Sequence, residues 1–348
     1  MVARRALCAG VDQIDGGTGN DIRIADMSTA TATIPIDLNS AQSSFLGTGF
    51  ARKAEAANQL RTGTGADWIT THASGAMDAI IRTGGGNDMV TVAMGGTDQV
   101  IGESGADPLN LTDTLAGGVR VRNLVDAGGG GGSGNFDGLG ANNTDVTGIE
   151  HFSFTDLGGG NDIITTGQGN DTLNGRTGAD RLLGGAANAL HSVDQLADVI
   201  IESAERGTAD RIAAGASDVL AGGVGIEIMT TTSSGEVGKI SLIGNALAQR
   251  IFGNAGADVL NDGGFGAADT LTGAGGNDTC IVSNAGTIIV EGAGQGVNDH
   301  VAASVSFALA TDDNIERLTT TSVGTTSSIN PPALHWRKPS PPTPGPTC

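Results

Sequence analysis

Tyrosine is absent from this chain, and eight phenylalanines and two tryptophans are the only aromatics in 348 residues. Few large side chains are left to fill a broad interior, so any core must be thin and regular. Lysine occurs three times, and 18 basic residues face 38 acidic ones for a net charge of −20. Such a surface repels phosphate, which argues against nucleic acid as a partner and in favour of cations. Proline is scarce before the last eighteen residues and there is no Gly-X-Y period, which excludes collagen. No apolar run approaches the roughly 18 residues that cross a bilayer, so no membrane span is expected. The three cysteines, Cys8, Cys280 and Cys348, cannot all pair within one chain and none lies in a C-x-x-C. Met1 to Gly10 carries Arg4 and Arg5 without an apolar run, so a cleaved secretory signal is not expected there.

Glycine is what the chain has in abundance, 58 residues, more than twice the usual share of roughly 7%. It is not scattered. The stretch Leu157 to Gly184 reads LGGGNDIIT, TGQGNDTLN, GRTGADRLLG, with Asp162, Asp171 and Asp180 nine residues apart and each two positions after a glycine. The same G-x-D core recurs at Asp21, Asp67, Asp88, Asp107, Asp258 and Asp278, and Asp269 stands in a version with one extra residue. Two positions beyond the aspartate sit Ile69, Val90, Leu109, Ile164, Leu173, Leu182, Leu260 and Leu271; Arg23 and Cys280 are the exceptions.

Glycine lets the backbone turn through positive φ without a Cβ clash. The residues after each aspartate are short and β-prone, with every second side chain facing one side. A turn and a three-residue strand, repeated, give a coil with two turns and two strands per 18 residues, stacked at roughly 4.8 Å. The predicted fold is all-β: a flattened right-handed parallel β-roll with a thin aliphatic core and a row of turns along each edge. In those rows unit charges about 4.8 Å apart repel by about 0.9 kcal/mol even at the dielectric of water. Carboxylate and carbonyl oxygens around a small gap suit a hard cation with six to eight oxygen ligands, calcium before magnesium. Zinc would prefer His or Cys, which the repeats do not offer.

These nonapeptides resemble the G-G-x-G-x-D-x-U-x repeats of the RTX (haemolysin-type) calcium-binding proteins, and the likeness runs through most of residues 11 to 322. The resemblance implies ions shared by turns one coil apart, hence partners 18 residues apart. Asp162 and Asp180 meet that condition; Asp171 finds Ala189 where an acid is needed. Asp258 and Asp278 lie 20 apart, which suits a coil with a small insertion near Phe265 and Ala268, and Asp88 and Asp107 lie 19 apart, a looser case with Asp98 between them. The metal candidates are thus Asp162, Asp180, Asp258 and Asp278, then Asp171, Asp269, Asp88, Asp107, Asp67 and Asp21. The resemblance further implies an extracellular setting, export by type I secretion machinery, and folding driven by external calcium.

A longer duplication carries the segments between repeat blocks. Glu202 to Ser233 aligns without gaps to Glu291 to Ser322, 89 residues on, with fifteen of 32 positions identical, among them Asp210/Asp299 and Glu227/Glu316. That register also sets Ala189 against Asp278. These spacers are expected to be further coils without ligands, a separate helical domain being the alternative. The expected organisation is irregular N-terminal coils over 1–60, a roll over 61–195 with a mobile glycine-rich loop at 126–140, spacers at 196–234 and 285–329, a second roll at 235–284, and a Pro-rich tail at 330–348. One helix is expected, Ala51 to Leu60, and a strand at Ile149 to Thr155. In the tail most of the prolines fall together, and proline removes ladder donors, so the roll cannot continue there. By the 89-residue register Ala333 onward should resemble Gly244 to Val259, and an allowed codon choice in the neighbouring frame restores that likeness; a frameshift is the expectation, a genuine disordered tail the alternative.

An enzyme is not visible. The five histidines, His72, His151, His191, His300 and His335, are dispersed, with no H-E-x-x-H and no G-x-S-x-G. Gly238-Lys239 ends a would-be phosphate loop in which Ser233 and Ile240 stand where glycine and a hydroxyl residue belong. The expected protein is a non-catalytic, calcium-binding roll. The alternatives are the repeat portion of a larger exoenzyme or toxin, and a calcium-stiffened spacer of an adhesin or surface-layer protein.

Overall fold

The computed structural model describes residues 2–6, 13–15, 22–37, 43–45, 49–52, 56–70, 79–93, 97–113, 120–126, 132–137, 143–149, 151–156, 159–203, 207–310 and 314–321. Among them every regular element is a β-strand, and no helix occurs. Successive strands alternate between two faces of a solenoid. One face is a 12-stranded sheet from Pro35–Asp37 to Ile288–Val290. The other begins as an 11-stranded sheet that ends at Val199–Ile200, and continues as a six-stranded sheet from Asp218–Val219 to Arg317–Thr320. From Ile163 onward every strand pairing is parallel. The all-β parallel roll expected from the repeat is the observed architecture.

Strands are short because each contributes a single inward side chain. Ile163–Thr165, Thr172–Asn174 and Arg181–Leu183 each bury only their central residue. In-register pairing then stacks like on like: Ile164 lies level with Leu182 and Leu182 with Ile200, while Leu242, Leu260, Cys280 and Val301 form a column on the same face further along. All eight aliphatic residues two positions after a repeat aspartate are exposed by 1% or less. Each such burial stabilises the roll by about 1.5–3 kcal/mol. His191 and Cys280 break the aliphatic pattern, and both are inside: His191 sits in the column between Leu173 and Ile212.

The duplicated spacers are coils of the same solenoid, but they lie on opposite faces. Leu190–Val193, Arg211–Ala214 and Ile228–Thr231 belong to the 12-stranded face; their counterparts Thr279–Val282, His300–Ala303 and Arg317–Thr320 belong to the six-stranded one. A shift of 89 residues is therefore an odd number of half-coils.

Two expectations fail. The helix over Ala51 to Leu60 is replaced by strand: Gly49–Arg52 and Ala56–Arg61 are extended, and the latter pairs in parallel with Ile22–Asp26 on one side and Ala79–Arg82 on the other. So short a helix is marginal alone, whereas two neighbouring strands satisfy this backbone fully. The glycine-rich loop contains a strand, Gly132–Asp137, which pairs antiparallel with both Arg120–Asp126 and Asn143–Ile149. This meander adds antiparallel strands to one face while Pro108–Asp113 and His151–Asp156 still pair directly and in parallel on the other. Asp21, Cys8 and the tail from 322 lie outside the described residues.

Candidate metal centre

Every described repeat aspartate stands just before a strand, at the edge of the roll, and is turned inward to exposures of 2% or less. Stacking places each acid beside the coil that precedes it. On the edge leading into the second face, the Asp162 N–H donates to Asp180 Oδ1 at 2.9 Å and the Asp180 N–H to Asp198 Oδ1 at 3.1 Å. Further along, the N–H groups of Ile240, Asp258, Asp278 and Asp299 donate in turn to Asp258 Oδ1 (2.9 Å), Asp278 Oδ1 (2.7 Å), Asp299 Oδ1 (2.8 Å) and Glu316 Oε2 (2.7 Å).

The opposite edge repeats the arrangement. There Asp67 N–H donates to Asp88 Oδ1 at 2.7 Å, and Asp88 N–H to Asp107 Oδ1 at 2.9 Å. The N–H groups of Phe152, Ala189, Asp210 and Gln249 donate to Asp171 Oδ1 (2.9 Å), Asp210 Oδ1 (2.7 Å), Glu227 Oε2 (2.7 Å) and Asp269 Oδ1 (2.6 Å). The anticipated pairs Asp162/Asp180, Asp258/Asp278 and Asp88/Asp107 are therefore neighbours, and Asp88/Asp107 is no looser than the rest. Asp67/Asp88 was not anticipated, since those residues lie 21 apart. Separation in sequence is not the requirement: strands hold register while extra residues bulge at a turn, as Phe265 does with 81% of its surface exposed. Asp171 is level with Ala189, so no acid follows it in its row.

Sequence reasoning missed the acids outside the G-x-D motif. Asp198, Asp210, Glu227, Asp299 and Glu316 continue the two rows, and the spacers expected to lack ligands carry most of them. A signal was present: Asp210/Asp299 and Glu227/Glu316 are identical across the duplication. The asparagine before the repeat aspartate was also overlooked. Asn161, Asn170 and Asn87 each accept, through Oδ1, an N–H from the next coil (Ala179, Asn188 and Ala106).

One oxygen per carboxylate thus knits coils together; the other does not. The Oδ2 atoms of Asp67, Asp88, Asp171, Asp210, Asp269, Asp278 and Asp299 are buried without a hydrogen-bonding partner. An ionised carboxylate in that state is costly. Burial, above all, pushes Asp88, Asp171, Asp210 and Asp269 up to about 6. Asp180 and Asp278 go to about 7, burial again first, with neighbouring aspartates adding to it. The glycines bring main-chain oxygen to the same place. Gly178, at φ +147°, is so close to the coil before it that a Cβ would lie 1.3 Å from the Gly160 carbonyl oxygen and 2.9 Å from Asp180 Oδ1. Buried, oxygen-only and short of positive charge, these rows fit a hard divalent cation such as calcium.

The histidine flagged at the entrance to the tandem block has a structural task, His151 Nδ1 accepting the Asn170 N–H at 3.1 Å. No described helix is long and apolar enough to cross a membrane. The family description "RTX calcium-binding nonapeptide repeat" matches the chain in four copies, over residues 9–22, 156–188 and 243–280. Comparison with curated proteins gave no match.

Proposed function

Because this chain carries RTX calcium-binding nonapeptide repeats, we propose that it is a non-catalytic roll whose folding is coupled to calcium, working outside the cell. The observation that carries this reading is the pair of rows of buried carboxylates, each with an oxygen left over. Asp162 with Asp180, Asp258 with Asp278, and Asp88 with Asp107 and Asp67 would hold ions between successive coils, Asp269 and Asp171 at less complete places, and Asp21 in the first matched repeat. Calcium supplies the charge that the rows lack. Without it the carboxylates repel one another or take up protons, and a glycine-rich chain with a thin core has little else to oppose its conformational entropy. With it, binding free energy becomes folding free energy. Such coupling suits export of an unfolded chain into a calcium-rich exterior through a type I route.

Circular dichroism of the full chain tests it. The β-signal should be small in chelator and rise on adding millimolar calcium, with magnesium a poor substitute because it demands a tighter octahedron. Equal β-content in chelator and calcium would sink the reading.

A further inference from the structure

Three acids converge at one turn in a way the nonapeptide does not provide for. Asp278, Glu291 and Asp299 are exposed by 2%, 5% and 1%, and one oxygen from each lies within 4.8 Å of the others. Asp278 Oδ1 and Asp299 Oδ1 are taken by N–H groups of the preceding coil, whereas both Oδ2 atoms and both oxygens of Glu291 lack a well-formed hydrogen bond. The charges acting on the three are those of other acids, Asp258 and Glu316 among them, and no cation is included. Glu291 and Asp299 both lie beyond the matched repeat segment, which ends at residue 280.

We propose that Asp278, Glu291 and Asp299 form a separate divalent-cation site, with Glu291 supplying from the spacer a carboxylate that the repeat turns do not have. The choice of calcium rests on the function proposed above; the need for a cation does not. Space for the carboxylate is made by Gly273, at the start of the turn one coil earlier: a Cβ there would lie 2.3 Å from Glu291 Oε2 and 2.5 Å from Asp278 Oδ2. The duplicated copy shows what happens when the counter-charge comes from the protein. Eighty-nine residues upstream, Gly184, Glu202 and Asp210 occupy the same places, but Ala189 replaces Asp278 and His191 replaces Cys280. There Glu202 Oε1 is 3.0 Å from His191 Nε2 and also accepts the Gly184 N–H. Downstream the imidazole is gone and a third acid has been added. Cys280 cannot take its place, since burial first and then the nearby acids push its thiol far up, keeping it protonated. Oxygen donors alone remain, which selects a hard ion over zinc.

Equilibrium dialysis of the full chain at saturating calcium decides the matter. Glu291→Gln should bind one ion fewer than wild type, and Glu202→Gln the same number as wild type. Cys280→His, which restores the upstream arrangement beside Glu291, should also bind one fewer while keeping its β-signal. Equal counts in wild type, Glu291→Gln and Cys280→His overturn the site and leave the calcium reading standing; a wild-type chain that binds no calcium overturns the calcium reading itself. In chelator Glu291→Gln should show more β-signal than wild type, because one repelling charge is gone, and less β-signal would contradict the proposal.

Discussion

Around residue 191 a buried glutamate meets a histidine; around residue 280 the equivalent glutamate meets two aspartates. The backbones of the two regions agree closely. Ala189 N–H reaches Asp210 Oδ1 at 2.7 Å and Asp278 N–H reaches Asp299 Oδ1 at 2.8 Å, and the next step, to Glu227 or Glu316, is 2.7 Å in both. Asn188 accepts from Thr208 and Ala209 as Asn277 accepts from Val297 and Asn298. What differs is the source of compensation. Upstream it is built into the chain and present whatever the solution contains; downstream it must be imported. One backbone device therefore supports both an autonomous coil and an ion-dependent one, and a few side chains choose between them.

The largest effect expected from this contrast is regional. On removing calcium, amides in 270–320 should lose more hydrogen-exchange protection than those in 181–231. Acidification should then restore the downstream coils. In the ion-free chain burial raises Asp278 to about 7 and Glu291 to about 8, with neighbouring acids adding, against roughly 4 when unfolded. The folded form thus binds protons that the unfolded form has released, so its stability falls as pH climbs from about 4 through 7 and 8. In calcium the slope should reverse, because protons compete with the ion for the same oxygens. Equal loss of protection in the two regions, or a chelated chain less folded at pH 5 than at pH 8, would break the comparison.

A middle-sized effect should come from the upstream histidine. His191→Leu suits the column of Leu173 and Ile212 on shape, yet it leaves Glu202 buried with only the Gly184 N–H. Removing one partner of a buried pair costs about 3 kcal/mol. The urea midpoint of calcium-loaded protein should fall accordingly, and adding Glu202→Gln should recover much of the loss. A His191→Leu chain as stable as wild type would mean that the imidazole is not the counter-group.

How much of this was legible beforehand follows from what each feature depends on. The roll, its thin core and the inward aliphatic position were readable because they are set within nine residues and repeated. The strand Ala56–Arg61 was not, since its extended form is imposed by partners at Ile22–Asp26 and Ala79–Arg82. The acids of the spacers escaped for a narrower reason. Asp210 and Asp299 have their glycine three positions before rather than two, and Asp198 has none, so a search for G-x-D passes over all three. Position at the mouth of a strand, not the glycine, is what puts an acid in the row. The 18-residue rule failed likewise, because it counted residues where the structure counts coils.

The smallest effect tests whether acids act as neighbours along a row. Asp180 stands between two of them: its Oδ1 accepts the Asp162 N–H, and its own N–H reaches Asp198. Asp171 holds the Phe152 N–H but faces Ala189 in the coil that follows. Asp171→Ala should therefore cost about 1 kcal/mol, the worth of one buried hydrogen bond, with little change in calcium dependence. Asp180→Ala and Asp162→Ala should cost more and should raise the calcium concentration needed for half-maximal β-signal, by similar amounts if they share an ion. Ala189→Asp should move the midpoint the other way by giving Asp171 its missing neighbour. Calcium titrations of the four variants, followed by circular dichroism, rank them directly; should Asp171→Ala shift the midpoint as far as Asp162→Ala, ions are not shared between acids of successive coils, and each carboxylate binds on its own.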